Sequence, residues 1–71
     1  MELTPEQKHW LRLTAKGEAD GNDGWAKVSN LVMNLHERIR VPDDLIEFET
    51  YHDGSGRCRL TERGRAVLDH I

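Results

Sequence analysis

The spacing of apolar and polar residues along this chain changes several times, and each change marks an element. Trp10, Leu13 and, beside them, Leu11 supply an inward face between Thr4 and Gly17, which predicts a helix over residues 5–16. Its start is well marked. Thr4 can accept from a free backbone N–H, Pro5 loses nothing at the first helical position, and Glu6 suits the positive end of the dipole. Leu3 precedes the cap and can fold back as a staple, and Gly17 is a plausible stop. Residues 17–24, rich in glycine and acidic side chains and including Asn22, then read as a loop.

From Trp25 onward the period changes. Val28, Leu31, Val32, Leu35 and Ile39 fall at i, i+3, i+4, i+7 and i+11, the clearest helical stripe in the chain. With Asp23 as cap, this predicts one long helix over about 24–39, ending before Pro42 because the residue ahead of a proline avoids the helical region. Leu45 to Tyr51 alternates instead, with Ile46, Phe48 and Thr50 on one side, and predicts a strand. Asp53-Gly54-Ser55-Gly56 is a turn signal, and Arg57-Cys58-Arg59-Leu60 returns as a second strand with Cys58 and Leu60 inward. Thr61 caps a last helix whose Val67, Leu68 and Ile71 face the core.

The predicted order is helix, long helix (or two), hairpin, helix. A two-stranded hairpin is marginal in water, so it must lie on the helices. The 71 residues allow one domain and no second core. A chain this short buries only about 60% of its unfolded surface. With 37% hydrophobic and 32% charged residues it suits a globular domain rather than a disordered tail. Its apolar runs fall well short of the roughly 20 residues that span a membrane. Met1 to Thr4 carries no signal-peptide pattern, and the single cysteine, Cys58, fits a reducing compartment, so a cytoplasmic location is expected.

Two segments resemble the bacterial winged-helix regulators of the MarR type. Leu3-Thr4-Pro5-Glu6-Gln7 with Trp10 and Leu11 is similar to the opening helix of that fold. Arg59-Leu60-Thr61-Glu62-Arg63-Gly64-Arg65-Ala66-Val67-Leu68 resembles the "LTxxGRxxL" stretch where the second strand of the wing passes into the next helix. Between them, Lys27-Val28-Ser29-Asn30-Leu31-Val32 resembles a recognition helix. The resemblance implies an α+β fold, a small winged helix of three or four helices with a two-stranded wing. It also implies a DNA-binding transcriptional regulator from a bacterium, phage or plasmid, with double-stranded DNA as partner. One departure stands out. A helix-turn-helix needs two short helices before the hairpin, and only one long helical pattern is present. Either residues 27–39 form the recognition helix behind a poor scaffold, or residues 24–35 form the scaffold and recognition falls to Arg40 to Leu45.

For such a regulator the candidate DNA-binding residues are Lys27, Asn30, Asn34 and Arg38 on one flank of the long helix, and Arg57 and Arg59 on the wing. Gly54 and Gly56 would loosen the wing tip. Charge pulls the other way. The chain carries a net −3, and Glu37 lies beside the helical flank. Glu47 and Glu49 can pair across the hairpin with Arg57 and Arg59, while Arg63 and Arg65 suit Glu62, Asp69 or the acidic strand residues. The alternative is therefore a protein-interaction module, a homodimer or an adaptor, marked by an exposed apolar patch around Trp25, Met33 and Tyr51. Trp10 and Trp25 read as core or as the edge of that patch.

No enzymatic chemistry is expected. His9, His36, His52, His70 and Cys58 lack the close spacing of a zinc site, so no metal or cofactor is assigned. His52 beside Asp53 falls in a turn, and the sequence offers no phosphate loop, serine elbow or carboxylate pair.

Overall fold

A computed structural model describes residues 2–21 and 23–71, so the expectations at Met1 and Asn22 lie outside the described residues. The chain is a small α+β fold with three helices and a three-stranded antiparallel sheet. Helix α1 (Pro5–Asp20) leads into strand β1 (Ala26–Val28), helix α2 (Asn30–Ile39), strands β2 (Ile46–Thr50) and β3 (Gly56–Leu60), and helix α3 (Glu62–Leu68). The sheet order is β1-β3-β2.

Thr4 caps α1 as expected and does so reciprocally. The Gln7 backbone N–H donates to Thr4 Oγ1 at 3.1 Å, and the Thr4 N–H donates to Gln7 Oε1 at 2.9 Å. The helix runs past the expected stop at Gly17 to Asp20. Gly17 is needed there for proximity, because a Cβ at this position would lie 2.6 Å from that of Ala26 on β1. Close packing of α1 on the strand offsets the roughly 1 kcal/mol that glycine costs inside a helix. Trp10, Leu11, Thr14 and Glu18 form the buried face, whereas Leu13, expected inward, is half exposed.

The predicted long helix is two elements. Ala26 and Val28 point into the core and Lys27 points out, a strand alternation that pairs with β3 in the register Ala26↔Cys58 and Val28↔Gly56. Helix α2 starts only after Ser29, whose hydroxyl accepts from the Val32 N–H at 3.3 Å. This later start changes the face that is buried. Met33 goes inward, with His36 and Ile39 half-buried, and Leu31, Val32 and Leu35 of the predicted stripe face solvent. The helix closes on Arg40 in the left-handed region, with φ at 56°. Gln7 Nε2 then donates to the Ile39 and Arg40 carbonyls at 3.2 and 3.0 Å, tying the end of α2 to the start of α1.

Residues 40–45 form a turn and no helix, which removes the short recognition helix considered for that segment. Val41 and Leu45 are buried and anchor it. The hairpin forms as predicted, in the register Ile46↔Leu60, Phe48↔Cys58 and Thr50↔Gly56. With β1 added, the sheet has three strands rather than two. Thr50 is exposed, and Gly56 is a buried strand residue rather than a loose tip. A Cβ there would meet the Glu49 carbonyl and sit 2.8 Å from Met33 Cε. Thr61 caps α3 through the Gly64 N–H at 3.0 Å; Val67 and Leu68 pack on the core, and Ile71 stays exposed.

The inner face of the sheet supplies Ala26, Val28, Ile46, Cys58 and Leu60 to one core with Trp10, Leu11, Met33, Val41 and Leu45. Helices α1 and α3 cover this face. Among the described residues no helix is long and apolar enough to cross a membrane.

Candidate functional site

The outer face of the sheet gathers the two hairpin arginines and engages both. Arg57 Nε and Nη2 donate to Glu49 Oε2 at 2.9 and 2.7 Å, and its Nη1 reaches Asp23 Oδ2 at 3.4 Å. Arg59 Nε donates to Glu47 Oε2 at 2.6 Å. These pairs follow from the register, which sets Glu49 opposite Arg57 and Glu47 opposite Arg59. Trp25 lies over them, its ring 4.2 and 4.4 Å from the two guanidinium carbons. It is therefore a lid on the charged face and not a core residue. The Glu49 hydrogen bond raises the Arg57 pKa above its ordinary value.

The other candidate DNA-binding residues do not gather as one flank. Lys27 is on β1, opposite Arg57 on the outer face. Asn30, Asn34 and Arg38 form an exposed row along α2 at intervals of four residues. Neighbouring this row are Leu31, 79% exposed, and Leu35, 48% exposed, with Val32 beside them.

Val32 also borders a cleft of about 120 Å³ between α1 and β1. Leu13 and Val32 stand among its lining residues, which also include Trp10, Val28 and Cys58. Of the large apolar side chains exposed among the described residues, Leu13, Leu31, Val32 and Leu35 lie along this ridge and cleft, and Tyr51 and Ile71 are exposed as well. The patch expected around Trp25, Met33 and Tyr51 is not formed, because Met33 is buried against the sheet and Trp25 is stacked on arginine.

Beneath α2, His36 lies between aromatic rings, 5.4 Å from Trp10 and 3.8 Å from Phe48 by ring centroids. Its buried Nδ1 has no partner, and burial lowers its pKa, opposed in part by Asp43 and Glu37. Burial thus disfavours the charged imidazole, and the ring packs between its aromatic neighbours. Burial likewise pushes the Cys58 thiol up, away from the thiolate a nucleophile needs. Among the described residues no three histidine, cysteine or carboxylate side chains gather to hold a metal.

Arg63 and Arg65 find partners other than those anticipated. Arg63 Nε is 3.2 Å from Asp44 Oδ2, and Arg65 Nη2 donates to the buried Glu18 at 2.5 Å, joining α3 to α1. The outward leucine row was the main feature missed from the sequence. Its signal was Ser29, an N-cap that divides the apparent stripe after Val28. No protein-family model, curated protein or solved structure matches the chain.

Proposed function

We propose that this chain is a non-catalytic, cytoplasmic module of winged-helix type that works by binding protein through the outward face of α2. The observation that carries the reading is the exposed row Leu31, Val32 and Leu35, joined by Leu13 across the cleft. Burying such leucines against a partner gains about 25 cal/mol per Å² of apolar surface. Engagement of Arg57 and Arg59 by Glu49, Asp23 and Glu47 favours it further, since a phosphate would have to compete with carboxylates already in place. Support for the winged-helix type comes from β1 as the third strand beside the β2–β3 hairpin, and from α3 directly after it.

A second reading, duplex DNA binding by a transcriptional regulator, is favoured by the row Asn30, Asn34 and Arg38. These side chain types read purine edges, and all three are exposed on one helix. Photo-crosslinking separates the two. A photoreactive residue at position 31 should give protein adducts in cells, and one at position 47 on the outer sheet face should not. Nucleic-acid adducts from position 31, with no protein adducts, would overturn the protein-binding reading in favour of the second.

A further inference from the structure

We infer that α2 is seated by a proton-sensitive contact at His36, and that acid frees this helix while the sheet, α1 and α3 hold together. The inference concerns how α2 is seated and stands whatever its outward face binds. The imidazole enters a slot between Trp10 of α1 and Phe48 of β2, with ring centroids 5.4 and 3.8 Å away. One side chain thus ties α2 to both elements.

Two orphaned nitrogens give the slot its chemistry. Trp10 Nε1, which can only donate, and His36 Nδ1 are both buried without a partner. A neutral imidazole can leave Nδ1 as an acceptor. Protonation turns it into a second buried N–H donor, and neither donor has an acceptor among the described residues. Burial opposes the charge as well. The charged groups that favour the imidazolium are Asp43, in the exposed turn after α2, and Glu37, exposed on α2 itself, whereas α1 and β2 face it with the two aromatic rings. A protonated His36 therefore gains by leaving the slot for the exposed carboxylates.

Little else keeps α2 down. Of its ten residues only Met33 is buried, with His36 and Ile39 half-buried. Elements with few buried apolar contacts open locally, below the free energy of global unfolding. Trp10 and Leu11 stay in the core with the sheet, and Arg65 joins α3 to α1 through Glu18. Gln7 does not titrate, so its bonds to the Ile39 and Arg40 carbonyls tether the freed helix.

The seated imidazole titrates below the ordinary 6.5 and the released one at it, so opening grows as pH falls from 6.5 to the lowered value. Its equilibrium constant rises by up to about tenfold for each pH unit of that interval. Amide hydrogen exchange of the full chain, read by NMR from neutral pH downward, tests this. Protection of the Met33 to Arg40 amides, relative to the intrinsic exchange rates, should fall by up to about that factor while Cys58 and Arg59 of β3 keep theirs. His36→Phe, which fills the slot without a titrating nitrogen, should abolish the fall, and Asp43→Asn should move its onset to lower pH. The contrast between α2 and β3 within the unaltered chain decides the matter even if a variant folds poorly. Protection lost in step across α2 and β3 would overturn the inference, as would α2 protection indifferent to pH or falling equally in a folded His36→Phe chain.

Discussion

Helices α1 and α2 are both amphipathic, yet they use their apolar residues in opposite ways. Helix α1 turns Trp10 and Leu11 into the core and is fastened at both ends, by Gln7 to the end of α2 and by Glu18 to Arg65. Helix α2 rests on Met33, His36 and Ile39 and holds three apolar side chains out to solvent. The contrast separates scaffold from display. Trp10 and Leu11 of α1 stabilise the fold, whereas Leu31, Val32 and Leu35 outside on α2, like the exposed Leu13 of α1, add little to the single chain and are available to a partner.

The largest expected effect is in the core. Leu11→Ala, at a side chain with no exposure, should cost about 2–5 kcal/mol in urea unfolding. Leu35→Ala should cost under ~0.5 kcal/mol in dilute protein, as expected for an exposed position. Equal losses would break the comparison. Next, Arg65→Ala strands the buried Glu18 carboxylate and should cost about 1–3 kcal/mol, less than a fully buried pair because Arg65 is itself half exposed.

The histidine under α2 gives a pH signature. Its pKa in the folded chain lies below the 6.5 of the unfolded chain, so the unfolded state takes up the proton first. The stability of the neutral, packed imidazole is full above pH 6.5. It is lost as pH falls from there through the lowered folded value. Stability measured from pH 7.5 downward should show this loss, and His36→Phe should flatten that part of the profile. The smallest effect is at the end of α2. Arg40→Gly relieves a positive φ of 56° and should be neutral or stabilising by a few tenths of a kcal/mol, read from the urea midpoint.

Elements with a local signal were legible in the sequence. Thr4 and Thr61 mark their helix starts, the alternation from Ile46 gives β2, and the turn through Asp53 and Gly54 sets the hairpin. The cross-strand ion pairs of Arg57 and Arg59 followed from that hairpin. Strand β1 was not legible, because three residues are too few to show a period, and Val28 happens to fall in phase with the stripe of α2. It is a strand because β3 offers a ladder to pair with, a long-range fact. Gly17 misled for a related reason, since its role is contact with Ala26, not the helix end. The outward row of α2 suffered most. The most regular apolar row in the chain read as core, and packing of Met33 against Gly56 rotates it outward.

The central claim, that this row is a contact face for protein, is tested most directly by methyl and amide NMR of the full chain. A cell protein extract freed of nucleic acid is added to one sample, and random duplex DNA at low salt to another. The extract should shift or broaden the methyl signals of Leu13, Leu31, Val32 and Leu35 while those of Leu11, Leu45 and Leu60 stay fixed, and DNA should change nothing. Still methyls, with amide shifts at Asn30, Asn34, Arg38, Arg57 and Arg59 that appear on adding DNA and fade as salt rises, would contradict the account.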